Sequence, residues 1–280
     1  MNARVVVACV LVAAACSRGP DRGAFPGGGY SYLVTPSGRM FRLLRTGPMI
    51  GAEGKRLGAV VSYAGDTREV ARITSDADEI VGALGPEMEA SGEPAIIVQA
   101  NLGWDPRKTI STSVLYGVVF ERREDRWARL PPKPGQPAEV EGVAASPGPP
   151  DDPSFPFDPA AARDAAQAAA RWVALLDASD ADGSLAATTP SFRVQLEAEL
   201  DTWRSLVAQR GRLGAAGGRV ELYRMLTRNA SVPVPAGGAV IVQYELRPPQ
   251  GGRFLERVIL LPERQGWRPA GYSFRPLAPP

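Results

Sequence analysis

Ten prolines and three glycines fall among the 29 residues from 131 to 159, PPKPGQPAEVEGVAASPGPPDDPSFPFDP. Proline lacks an amide donor and restricts the residue before it, so neither helix nor sheet is expected to survive that density. The segment reads as a linker, semi-rigid where prolines cluster, extending about 3 Å per residue. A polyproline ligand for a partner's groove is a second reading of the same composition. The chain is thereby cut into two parts, residues 30–130 and 160–280, each long enough to bury a core. Halves joined in this way are expected to fold and melt separately, with proteases cutting between Leu130 and Ala160.

The first part reads as α+β. YSYLVT and RMFRLLR alternate around a PSG turn, and LGAVVSY, PAIIVQANL and STSVLYGVVFER are further strands. RWARL closes a hairpin around Glu124-Asp125. Ser75 followed by Asp78 resembles a capping box for a helix from Asp76 towards Ala90, kinked or interrupted at Pro86. After the linker, Ala165, Ala168, Ala169, Trp172, Leu175 and Leu176 keep helical spacing within residues 160–178. A second helix, from about Ser191 to Arg210, presents Phe192, Leu196, Leu200, Trp203, Leu206 and Val207 on one face. Four strands complete the chain: RVELYRMLT, AVIVQYELR, RFLERVILL and WRPAGYSF. The expected fold is therefore α+β with two small domains. The C-terminal one is two helices packed on a curved antiparallel four-stranded sheet.

Composition removes whole chemistries. No histidine occurs in 280 residues, which excludes imidazole bases, Ser-His-Asp and Cys-His pairs and histidine-ligated zinc. Cys9 and Cys16 are the two cysteines, too few for a disulfide framework or a thiolate metal site. Net charge is +2, so no strong field draws the chain to nucleic acid. Arginine outnumbers lysine 29 to 3, but the arginines are spread without a cluster, as a compositional bias would spread them. GGG at 27–29 and GAAGG at 214–218 lack the strand–turn–helix setting of a phosphate loop. No cofactor and no metal is expected.

The acidic stretch LLDASDADGSL, residues 175–185, tests that last expectation. A calcium loop with Gly183 at its sixth position places Asp182 and Asp180 correctly. It then puts Ala178 at the first ligand position and Thr189 where a bidentate glutamate belongs. The site fails at both ends. A helix-to-helix joint accounts for every residue: Asp177 ends one helix, Asp180 and Asp182 form the turn, Gly183 supplies permissive φ, and Ser184 caps the segment after it.

The N-terminus carries an address. Arg4 is followed by an apolar run from Val5 to Ala15, too short to span a bilayer but suited to a signal peptide. Ala13-Ala14-Ala15-Cys16 resembles the lipobox of bacterial lipoproteins, departing from it at Ala13, where leucine is commoner. The resemblance implies a signal peptide over residues 1–15, acylation of Cys16, and a flexible tether over residues 16–29. Ser17 in place of aspartate implies sorting to the outer membrane, facing the periplasm. Cleavage of an A-x-A site without lipidation, giving a soluble periplasmic or secreted protein, is the alternative.

A second resemblance covers residues 160–275. ARWVALLDASDADGS, Phe192, Trp203, RLG at 212–214, VIVQYEL, Glu256 and the closing GWRPAGYSF are similar to the bacterial domain-of-unknown-function 4019 family. The sequence departs from that family at Leu185, where tryptophan is common. The family is likened to the cystatin-like, nuclear-transport-factor-2-like cone fold, and it implies no reaction. Glu245, Glu256, Tyr223, Tyr244 and Tyr272 are the strand-borne groups that could move protons. Strand alternation puts Val240, Val242, Tyr244 and Leu246 on an inward face and sends Glu245 outward. The expected function is non-enzymatic: a lipid-anchored envelope protein that binds a protein partner or an envelope component. A cone-fold hydrolase or isomerase, or a carrier of an apolar ligand lined by Trp172 and Tyr244, are the alternatives.

Overall fold

The computed structural model describes residues 31–50, 54–65, 70–102, 112–124, 126–131, 139–143, 158–213, 218–228, 230–235 and 237–277. In chain order the elements of the first part are β1 (Ser31–Val34), β2 (Met40–Ile50), β3 (Arg56–Gly65), α1 (Val70–Ala90), β4 (Ala95–Leu102), β5 (Thr112–Arg123), β6 (Arg126–Arg129) and β7 (Glu139–Val143). Those of the second are α2 (Pro159–Asp177), α3 (Ala181–Ala186), α4 (Pro190–Ala198), α5 (Leu200–Arg212), β8 (Arg219–Thr227), β9 (Ala239–Leu246), β10 (Phe254–Glu263) and β11 (Gly266–Pro276).

All eleven strands belong to one sheet, in the order β11-β10-β9-β8-β1-β2-β3-β4-β5-β6, with β7 also paired to β5. Neighbours are antiparallel except β3 and β4, which run parallel because α1 carries the chain across. The two expected small domains are thus overturned. The join is β1, whose four residues pair with β2 on one side and β8 on the other, Tyr32 facing both Arg42 and Leu226. Ser31 Oγ donates to Thr227 Oγ1 at 2.9 Å across that seam. Nor do two helices on a separate four-stranded sheet describe the C-terminal part. Its strands continue into β1, four helices lie on one face, and the expected second helix breaks into α4 and α5 at Glu199, whose φ is −129°.

The sheet curls around α1. Strands β10 and β6 stand eight places apart, about 38 Å on a flat sheet at ~4.8 Å per strand. Yet Arg257 of β10 pairs with Glu87 while Trp127 of β6 donates to the Gly85 carbonyl at 3.0 Å, two residues away on α1. The helix begins at Val70, a turn and a half before the Ser75 cap expected for it, and runs through Pro86 without ending. Its Ile73, Ala77, Ile80, Leu84 and Met88 fill a core with Leu33, Val61 and Ile96 of the first part and Tyr223, Ile241 and Ile259 of the second.

The opposite face of β8–β10 is covered by α2 to α5, so β9 is buried from end to end. Helix α2 is started by Asp158, which accepts from Ala160 N at 2.8 Å, with Pro159 in the first turn where a missing donor costs nothing. Its buried face is largely alanine, Ala162, Ala165, Ala166, Ala168 and Ala169, before Trp172. β7 lies inside the proline-rich segment, in its longest proline-free stretch, so a strand does survive there.

Candidate functional site

The acidic joint resolves as structure. Asp177 is the last residue of α2, and Ser179 takes the positive φ, 58°, that reverses the chain. Asp180, expected to form the turn, caps α3 by accepting from Gly183 N at 2.8 Å, and Ser184, expected to cap the segment after it, lies inside that helix. Gly183 is needed for space rather than for φ, since a Cβ there would lie 2.2 Å from Asp180 Oδ2. Asp182 turns outward to Arg204. Among the described residues no cluster of acidic or cysteine side chains is placed to hold a metal ion.

Asp177 turns instead into a buried charge cluster at the centre of the helical face. Arg210, from the last turn of α5, and Glu256, from β10, are both 0% exposed. The guanidinium grips the carboxylate with Nε at 2.8 Å and Nη2 at 3.2 Å. Arg219 of β8 adds Nε at 3.0 Å, and Tyr272 of β11 donates its hydroxyl at 2.8 Å. Asp177 accepts from Arg219 at 2.6 and 2.9 Å and from Arg210 at 2.8 Å. Two cations balance two anions. Burial by itself would lower the Arg210 pKa, but the hydrogen bond and charge of Glu256 outweigh it and hold the guanidinium above its ordinary value. Tyr272 is raised well above 10, first by burial and then by the Glu256 charge.

The cluster is not arranged to move protons. A carboxylate offers about four lone-pair positions, and Glu256 has four donors on them. None is left for a substrate, and the group is sealed from solvent. Of the other candidates, Tyr223 lies on the opposite face of the sheet, donating to Glu87 at 2.6 Å. Glu245, expected to point outward, is 4% exposed because α1 covers that face; it accepts from Arg247 and Arg253 at 2.7 Å each. Burial works to raise its pKa, and the hydrogen bonds from Arg253 and Arg247 overcome this and lower it. The structure therefore unites Glu256 with Tyr272 and keeps Tyr223 and Glu245 apart from them.

Beside the cluster a groove opens between the helices and the last strand. Phe192 and Leu196 of α4, Thr202, Trp203 and Leu206 of α5, and Tyr272, Ser273 and Phe274 of β11 line it, with Glu199 at the break between the helices. Phe274 in its wall carries the Arg210 guanidinium 5.6 Å from the ring centre. Trp172 lies one layer beneath, 2% exposed, stacked 6.0 Å from Trp203 and edge-on to Tyr272 at 5.2 Å. Its indole N–H donates to the Ser184 carbonyl at 2.8 Å. Tyr244 is buried with Arg219 over its ring at 5.8 Å. Neither Trp172 nor Tyr244 is among the residues lining the groove. Cys16 lies outside the described residues.

Sequence reasoning passed over Arg210 and Arg219. Arg210 was nonetheless signalled: it continues the stripe Trp203–Val207 by one more turn, where an apolar residue is expected. Glu256 likewise shares its strand face with Val258 and Leu260.

The fold and the site thus define a mixed α/β protein with one curled sheet, a sealed ion cluster and an aromatic groove beside it. Its C-terminal part, residues 168–272, matches the family model described as protein of unknown function (DUF4019). No curated protein and no solved structure matches the chain.

Proposed function

We propose that this protein acts by binding rather than by catalysis, held at the outer membrane by an acylated Cys16, with the groove between α4–α5 and β11 as its working surface. One observation carries the reading. Half-buried Leu206, Tyr272 and Phe274 line the groove over buried Phe192, Leu196 and Trp203, while the Glu256 carboxylate behind it is saturated by Arg210, Arg219 and Tyr272. A concave aromatic surface with one exposed carboxylate, Glu199, and no second acid or base beside it suits recognition of a largely apolar segment. The anchor is supported by the sequence alone, through Arg4, the run from Val5 to Ala15, and Cys16.

A photo-cross-linking residue at position 206, introduced in the cell of origin, tests the surface. The expected result is a discrete adduct absent when the same residue replaces Arg163, which is exposed on α2. Equal labelling from both positions would remove the groove from the function. Intact mass of the membrane-extracted protein tests the anchor: loss of 15 residues and added acyl mass on Cys16 are expected. Unmodified protein in the soluble periplasm, insensitive to Cys16→Ser, would overturn it.

A further inference from the structure

We propose that the groove takes an extended, basic and apolar peptide segment of a partner protein, which adds to the sheet as a strand along the open edge of β11. The inference rests on the groove being the working surface and names what fills it.

Three consecutive residues of β11, Tyr272, Ser273 and Phe274, line the groove. Side chains of a strand alternate between faces, so three in succession are reached only along the strand's edge. That edge is the terminus of the sheet: β11 pairs with β10 and with no other described strand. Pairing fixes which backbone groups look out. Leu277 N donates to Arg253 O at 2.7 Å, which makes 277 and 253 a hydrogen-bonded pair. By the same register, Arg275 with Leu255 and Ser273 with Arg257 turn their amides and carbonyls towards β10. Tyr272, Phe274 and Pro276 then turn theirs outward, giving the edge two N–H groups and three carbonyls.

Part of the edge is already closed. At Pro269 the strand has no amide, and its carbonyl accepts from Thr189 N at 2.8 Å, so the start of α4 covers it. From Gly271 onward no described backbone group takes that place. Proteins commonly cover, shorten or charge a long sheet edge, because an open one pairs with other chains. Here the uncovered half is the half that floors an aromatic groove.

Charge selects the occupant. Glu199 is the one charged side chain in the groove wall, and Glu197 and Asp201 stand exposed on either side of it. None of the three is in an ion pair with another described residue. An incoming strand turns alternate side chains to opposite faces of the sheet, so the set facing α4 and α5 must supply both apolar residues, for the wall of Leu206, Tyr272 and Phe274, and basic residues, for this acidic rim. Backbone hydrogen bonds then supply affinity and the alternate side chains specificity.

The test uses the full chain in detergent and a fluorescently labelled eight-residue peptide, Val-Thr-Lys-Thr-Val-Thr-Lys-Thr, whose valines and lysines share one face, read by anisotropy. Binding is expected, weakened about tenfold by Glu199→Arg, an exposed position without a side-chain cap bond where Tm should fall only slightly. The same peptide with glutamate in place of lysine should bind at least tenfold more weakly. Two further peptides carry N-methyl groups, one on every valine and lysine and one on every threonine. One of them should lose at least tenfold in affinity and the other less than about threefold, because only one set of amides meets β11. If both methylated peptides bind like the parent, strand addition is overturned while the groove remains a binding surface. If no peptide binds but position 206 still gives its adduct, strand addition alone fails. If neither occurs, both readings fall.

Discussion

Arg122 and Arg253, near opposite ends of the sheet, donate to the same carboxylate. Arg122 of β5 reaches Glu89 Oε1 at 2.6 Å, and Arg253, just before β10, reaches both oxygens at 3.3 Å. The strands concerned are seven places apart in the sheet, so Glu89 at the end of α1 clasps the two margins together. The second part of the chain depends on this arrangement. Without α1, it would expose Met225, Ile241, Leu255 and Ile259 and leave Arg257 without Glu87.

A protease cut between residues 144 and 157 should therefore not separate the two parts. The nicked fragments are expected to co-elute on size exclusion and to unfold in one transition. Residues 158–280 expressed alone should aggregate or bind a dye for exposed apolar surface. Two separately melting fragments would show that the shared sheet is not needed for either fold.

The ion cluster should be costly to break. Removing one partner of a buried ion pair leaves the other charge uncompensated, typically at about 3–5 kcal/mol. Arg210→Ala strands Glu256 with half its donors, and Glu256→Gln removes the counter-charge of Arg210 and Arg219 together. Each is expected to lower the urea midpoint sharply, without changing the denaturant slope. The exposed pair Arg204–Asp182 is the control, and its loss should cost less than about 1 kcal/mol.

Alkali should unfold the protein through its tyrosines. Tyr63, Tyr223, Tyr244 and Tyr272 all have pKa values raised above 10, in each case first by burial and then by a neighbouring carboxylate. Below pH 10 both folded and unfolded forms keep the proton, so their contribution is fully present. Above it the unfolded chain ionises first, and stability falls by about 1.4 kcal/mol per pH unit for each tyrosine. At the acid end Glu245 behaves oppositely. Its lowered pKa contributes above about 4.5 and is lost as pH falls through the folded value. Absorbance at 295 nm should show these four tyrosines ionising only with loss of the circular dichroism signal. Their smooth titration near pH 10 would contradict the burial.

Local pattern disclosed the pieces of this fold and hid their assembly. The alternation in AVIVQYEL marks a strand, and Trp172 at helical spacing marks a buried helix face. Alternation cannot report that both faces of β9 are covered, because Gln243 and Glu245 look like solvent positions until α1 and its arginine partners are in place. The pairing of β1 with β8 is also invisible locally: 196 residues separate Ser31 from Thr227, and a four-residue strand carries little pattern. The groove was half legible. Phe192 and Trp203 lie on the apolar stripe, but the opening beside them comes from the break at Glu199.

Trp172 distinguishes a cavity that carries a ligand from a groove at the surface. It lies beneath the groove, stacked on Trp203 and hydrogen-bonded to Ser184, with no solvent-facing side. Trp172→Ala removes a large buried side chain from a packed layer, which typically costs about 3–5 kcal/mol. Leu206→Ala, by contrast, trims a half-buried groove residue and should cost no more than about 1–2 kcal/mol. With Nile red as an uncharged apolar probe, the parent protein should bind at the groove, and Leu206→Ala should weaken that binding several-fold while Tm falls little. Trp172→Ala should lower Tm sharply. If Trp172→Ala instead leaves Tm unchanged and abolishes probe binding, the interior is a ligand cavity, and the groove is not where the protein does its work.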